Sequence, residues 1–268
     1  MSDLMTYVYG VTRADEALAE RLTALEGVVG APVHLISDGN GLALVASSVP
    51  AEEFREEVLR RRLEDLDWLS AVARAHHGVV EAVAAYTTVL PLRLATVYLD
   101  DARAREVLDA GRELFTDRLA RLAGHVEWGV KLYVDPSATP EPPPAPVDAE
   151  LTPGRSYLRG RRQQQRHRDT AHQAAQRAAE GVEAAGRAYA SERARHRVQQ
   201  GTLAEAAGEN VVNDAYLVPV EQGESFCAEV RRAADGMAGV RVEITGPWAP
   251  YSFATGPEET GGAAGAGP

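Results

Sequence analysis

A single cysteine, Cys227, stands in 268 residues, which excludes an internal disulfide and any zinc site built on four thiolates, and fits a reducing compartment. Long apolar runs are missing as well. No stretch approaches the roughly 20 apolar residues that would cross a bilayer, and no basic start leads into an apolar core. The chain therefore reads as cytoplasmic and without a membrane partner. Positive charge is scarce overall: a net charge of -11 and a pI near 5.2 oppose non-specific attraction to nucleic acid or to an anionic surface. A phosphate loop, a dinucleotide fingerprint, an HExxH helix and a nucleophile elbow are all absent. The tail glycines Gly261, Gly262 and Gly265 follow no strand and open no helix. No catalytic residue, no cofactor site and no metal site is expected.

What is present is a globular composition, 45% hydrophobic against 25% charged, in a chain long enough for two domains. Leu4 to Val11 alternates as a strand. Val33 to Ile36 and Leu42 to Ala46 flank the turn formers Asp38-Gly39 and Asn40-Gly41, a hairpin signature. Ser48, Pro50 and Glu52-Glu53 are read as opening a helix, with Ser48 as its capping residue. Leu69, Val72, His76, Val79, Val80 and Val83 recur at helical spacing and predict one buried face. Thr87 to Leu90 and Leu92 to Leu99 read as extended, with Pro91 between them. A further helix carries the stripe Val107, Leu108, Gly111, Leu114, Phe115, Leu119 and Leu122 and stops at Gly124. Strands are predicted over 126–134, 211–220 and 240–245, with a helix over 224–234 and a weak segment at Leu203 to Ala206.

Between Arg155 and Gln200 eleven arginines face four acidic residues, a local +7 that leaves about -18 for the rest of the chain. That stretch is rich in helix formers and poor in large apolar residues, so it predicts a helix without deep burial. The predicted architecture is α+β with a split near residue 123. An N-terminal α+β domain (1–123) precedes a ferredoxin-like domain (124–253). The latter contains a proline-rich connector (135–150) and a helical insertion (155–200), and a disordered tail covers 254–268.

Several residues invite a chemical reading. His76 falls on the apolar face of its helix and His77 one residue round, so the pair cannot grip one metal as an i, i+4 pair would, and His76 reads as a hydrogen-bonded core residue. Cys227 lies in a helix pattern without a neighbouring histidine and reads as an inert, partly buried thiol. Arg93, between apolar residues on an extended segment, must reach either an internal carboxylate or a partner. Internal ion pairing is the first reading and partner contact the second. Arg161, Arg162, Arg166 and Arg168 form a basic face without interleaved aromatics, which fits a solvated face first, docking to an acidic protein surface next and nucleic acid last. Gly246, Pro247, Trp248, Pro250, Tyr251 and Phe253 form an aromatic corner after the final strand. It is expected to be packed and to lock the C-terminal domain, folding over a sheet edge or onto the other domain.

Taken together, Tyr7-Val8-Tyr9-Gly10, Pro91-Leu92-Arg93, Glu127-Trp128-Gly129-Val130-Lys131 and Gly246-Pro247-Trp248-Ala249-Pro250-Tyr251-Ser252-Phe253 resemble the gas vesicle protein F/L family. The resemblance spans nearly the whole chain. It implies an α+β N-terminal domain, a modified ferredoxin-like C-terminal domain and a non-enzymatic accessory role in assembling gas vesicles in the cytoplasm. The implied partners are the small hydrophobic shell protein and other accessory gas vesicle proteins, with self-association left open. One departure stands out: the family's Pro-x-Arg stretch typically continues Phe-Gly-Thr, where this chain has Leu94-Ala95-Thr96. A nucleic-acid-binding regulator acting through the arginine-rich helix and an enzyme with an unrecognised site are the competing readings.

Overall fold

The alternating run at the start of the chain forms β1 (Leu4–Arg13), and its residues from Thr6 to Thr12 are buried. A strand buried on both faces belongs in the middle of its sheet. In the computed structural model, which describes residues 3–135, 153–198 and 208–255 (backbone only for 153–159 and 163–164), β1 is central. It pairs antiparallel with β3 (Leu42–Pro50), which pairs in turn with β2 (Val33–Ser37). The predicted hairpin thus forms, and Asp38 Oδ1 accepts from the backbone N–H groups of Asn40 and Leu42 to close its turn. Ser48 lies inside β3 and caps no helix; Pro50 occupies the cap position of α2 (Ala51–Phe54) without a side-chain bond.

On its other side β1 meets two short strands, β4 (Val89–Pro91) and β5 (Val97–Tyr98). The approach to β4 is close: a Cβ at Gly10 would lie 2.8 Å from the Leu90 carbonyl oxygen. The segment predicted to be extended from Leu92 to Leu99 instead leaves the sheet in a turn, with Thr96 N–H bonded to the Arg93 carbonyl. The physical reason is that β1 reclaims its ladder bonds on either side of the turn, Leu92 N–H to the Tyr9 carbonyl and Val8 N–H to the Thr96 carbonyl, both at 2.9 Å.

Helices α1 (Glu16–Leu22), α3 (Glu56–Arg62) and α4 (Leu66–Ala84) join this sheet. Asp65 caps α4, which buries the predicted face Val72, His76, Val79, Val80 and Val83. The further helix expected as one piece is two, α5 (Asp101–Ala110) and α6 (Arg112–Leu122), broken at Gly111. A Cβ there would meet the Phe115 ring at 2.6 Å. Gly124 has φ +73°, the left-handed stop that the sequence predicted. Of the described residues, those up to Val126 together with 248–255 make one compact unit, and those between Glu127 and Pro247 make the second.

The second unit is built from β6 (His125–Val134), α7 (Pro153–Tyr189), β7 (Glu192–Arg195), β8 (Glu209–Pro219), α8 (Gly223–Ala234) and β9 (Val240–Trp248). Strand, helix, strand, strand, helix, strand is the element order of ferredoxin-like sandwiches. Its strands lie in the order β7-β8-β6-β9. The arginine-rich stretch is therefore no insertion: α7 is the connection between the first two strands of the unit. Nor is it shallow. Ala171, Ala175, Ala178, Val182 and Ala185, spaced at helical intervals, are buried in the core with Phe226, Cys227 and Val230 of α8. Small side chains are what allow this, since a Cβ on Gly181 would sit 2.7 Å from that of Ala233. The helix ends at Tyr189, and Glu192–Arg195, inside the span predicted to be helical, form the edge strand β7. In β6, Gly129 admits Thr245, whose Oγ1 would be 2.6 Å from an added Cβ. The weak segment at Leu203 to Ala206, the prolines from Pro136 to Pro146 and the tail beyond Thr255 lie outside the described residues.

Candidate functional site

Tyr7 and Tyr9, two residues apart on β1, anchor a buried polar hub. The Tyr7 hydroxyl donates to His76 Nδ1 at 2.9 Å and accepts from the Ala95 N–H at 3.1 Å. Tyr9 donates to Ser47 Oγ at 2.9 Å and accepts from the Val28 N–H at 2.8 Å. Burial pushes both phenols above their ordinary range. It pushes His76 down to about 4, an effect opposed by the nearby Leu92 backbone and aided by the neighbouring His77. His76 is thus the hydrogen-bonded core residue the sequence predicted. A neutral imidazole with an accepting Nδ1 completes the Tyr7 bond.

The Tyr7 hydroxyl also explains the 92–96 turn. Ala95 has φ +63°, in the left-handed region that glycine enters freely and an L-residue enters at a cost. The family's glycine at this place matches that backbone geometry; here the alanine is held in it by Tyr7 and by the Thr96 Oγ1 bond to the Arg93 carbonyl, 2.7 Å. Arg93 itself is exposed. The internal ion pair expected for it is not found among the described residues, because the turn carries its side chain away from the sheet. The second reading, contact with a partner, is compatible with that placement.

Of the two placements expected for the aromatic corner, the structure shows the second, on the other unit. Trp248 to Phe253 pack in the unit of the N-terminal sheet, not in the C-terminal one. Ala249 N–H donates to Glu81 Oε1 of α4 at 2.9 Å. The His77 ring lies 5.4 Å from Trp248 and 6.0 Å from Tyr251, and His76 lies 6.3 Å from Tyr251. The reason is that α4 offers an imidazole pair and a carboxylate at the surface where the chain leaves β9. Arg121 of α6 donates to the Phe253 carbonyl. Phe253 is 3% exposed and Trp248 40%, so the anchor is Phe253. Gly246 and Pro247 belong to β9, which runs through to Trp248.

The basic residues of α7 divide into two groups. Arg161, Arg162, Arg166 and Arg168 are exposed, and no ion pair joins them to another described side chain. Further along, Glu183 receives Arg187, Arg193 and Arg195. Arg193 also bonds the buried Asp214 of β8 through Nε and Nη2, at 3.0 and 2.7 Å, and so staples the edge strand β7. These arginines hold the pKa of Glu183 below its ordinary value. The +7 of the stretch is therefore part scaffold and part free surface.

Cys227 is buried, and burial raises its pKa, with Arg231 opposing. Among the described residues no three His, Cys, Asp or Glu side chains converge to hold a metal ion, and no helix is long and apolar enough to cross a membrane.

This fold and these residues have counterparts. The model of the family described as gas vesicle synthesis protein GvpL/GvpF matches residues 5–255, and the chain belongs to that family. Gas vesicle protein L of Streptomyces sp. (strain CB03234) is 43% identical over 255 residues, covering 94% of each chain. Gas vesicle protein F of the same organism is 27% identical over 270 residues, covering 93% of this chain and 99% of the relative. Among solved structures, gas vesicle protein GvpF from Microcystis aeruginosa shares the fold at a TM-score of 0.61 and 21% identity, covering 94% of this chain and 99% of its own. GvpF from Anabaena sp. PCC7120 does so at 0.60 and 18%, covering 95% and 99%.

Proposed function

We propose that the chain is a non-enzymatic accessory protein of gas vesicle assembly, acting in the cytoplasm and at the vesicle by binding the small hydrophobic shell protein, other accessory gas vesicle proteins, or both. The observation that carries this reading is the family match over residues 5–255 together with 43% identity to a gas vesicle protein L. The architecture is compatible with it. The buried groups His76, Tyr7, Tyr9 and Tyr216, whose pKa values burial shifts, are locked in core hydrogen bonds, whereas Arg161, Arg162, Arg166 and Arg168 are exposed on one helix with no ion pair to another described side chain. A factor that works by presenting surface needs the second kind of residue. We assign partner docking to those four arginines and Arg93, and a structural role to the corner at Trp248 to Phe253.

The test is co-elution of the purified full chain with the coexpressed shell protein and the other accessory proteins. Retention of one or more of them supports the reading; retention of none, with a specific hydrolase or transferase activity in the purified chain, contradicts it.

A further inference from the structure

One open groove in the N-terminal unit, of about 730 Å³, runs between the start of β1, the α2–α3 junction and the strand β5. Its floor is apolar, lined by the buried Phe54 and the half-buried Met5 and Val97. Its lips are two leucines that water should not be left to cover: Leu4 is 59% and Leu99 71% exposed. Around them the rim carries Asp3, Glu56 and Asp100; Asp3 pairs with Arg55 at 2.8 Å and Glu56 with Arg60 at 2.6 Å, while Asp100 caps α5 and faces no cation of the rim, so the rim is net negative. The surroundings have the same sign: residues 1–126 hold twenty acidic side chains and thirteen arginines.

A strand is a poor occupant. β5 offers only two residues of ladder at this edge, too short to template an added strand. An amphipathic helix is a good one, since its i, i+3/i+4 and i+7 side chains need an apolar trough and no backbone partners. An acidic rim then selects for basic flanks on that helix.

We propose that this groove is a docking site for an amphipathic helical segment of a partner protein, with leucine-type anchors on one face and Lys or Arg beside them. The assignment does not depend on which gas vesicle component binds the arginine face of α7, which lies in the other unit.

A fluorescent peptide of about 18 residues, long enough to be helical, with Leu at i, i+3, i+4 and i+7 repeats and Lys flanks, is titrated into the full chain and followed by anisotropy. Saturable binding is expected, weaker by about tenfold or more in the double variant Leu4→Asp/Leu99→Asp, weaker in Glu56→Lys, and unchanged in Leu66→Asp, where a leucine 76% exposed lies away from the groove. Circular dichroism shows that each variant is folded. A peptide with Glu flanks should bind less well. No binding by the wild type, equal binding by the double variant, an equal loss in Leu66→Asp, or no preference for Lys flanks would each overturn the proposal. So would a wild-type dimer that Leu4→Asp/Leu99→Asp converts to monomer, since a second copy would then be the occupant.

Discussion

At the scale of single residues, the position that deviates most from backbone rules is Ala95. An L-residue in the left-handed region costs roughly 1–2 kcal/mol, and glycine would return part of this as extra freedom in the unfolded chain, about 0.4–1 kcal/mol. Ala95→Gly should therefore raise the melting temperature by a small, measurable amount, equivalent to up to about 1 kcal/mol; a lower melting temperature would show that the alanine is unstrained or that its methyl contributes packing. His76 gives a pH signature. Its neutral form is preferred in the fold, with the pKa down at about 4 against 6.5 unfolded. The folded state then binds fewer protons than the unfolded state in that window. The associated stability is complete above about pH 6.5 and is lost as pH falls toward 4, on the order of 3 kcal/mol in all. The groups facing the ring are Tyr7, Tyr9, Tyr251 and His77, none of them anionic in this range. Urea unfolding at a series of pH values should show a steeper dependence between 4 and 6.5 in the wild type than in His76→Gln. Equal slopes would contradict the assignment.

At the scale of elements, α4 and α7 show what a sequence does and does not reveal. Large apolar residues at helical spacing made the buried face of α4 legible down to the histidine. α7 buries a comparable stripe, but of alanines, whose small transfer energies resemble those of an exposed helix former; only the facing Ala233 and Tyr216, far off in the chain, show that the stripe and the glycines are contacts. Gly186→Ala would drive a methyl into the Tyr216 ring and should cost about 1–3 kcal/mol in chemical denaturation, whereas a solvated helix would gain from the same change. β7 was missed for a related reason. Glu192 to Arg195 contains no large apolar residue, and it is a strand because of its register with Asp214 to Leu217 and the Arg193 staple. The turn at 92–96 depends in the same way on a hydroxyl from Tyr7. The aromatic corner was recognised as packed, but its destination on α4 required partners more than 160 residues away. Phe253→Ala should cost about 3–5 kcal/mol and Trp248→Ala clearly less, given their exposures; the reverse order in thermal melts would contradict this placement.

At the scale of the whole molecule, the protein combines locked cores with two surfaces of opposite character, an acidic apolar groove on one unit and, on the other, four exposed arginines without an ion pair among the described residues. Family membership was legible in spaced blocks whose residues prove to be core and close-contact positions, Tyr7, Tyr9, Gly10 and Gly129 among them, and such positions specify fold more than site. The docking surfaces were less so, because an exposed arginine is written the same way whether it meets water or a partner. Replacing Arg161, Arg162, Arg166 and Arg168 with Glu should leave stability within about 0.5 kcal/mol while weakening association with a gas vesicle component in a salt-sensitive way. Unchanged affinity in the folded variant would reduce that face to a solvated one. The most direct test of the central reading is to express a gas vesicle gene set in a heterologous host with and without this chain and to count vesicles by electron microscopy. The account predicts few or no vesicles without it and recovery when the wild-type chain is supplied; equal vesicle numbers in its absence would contradict a role in assembly.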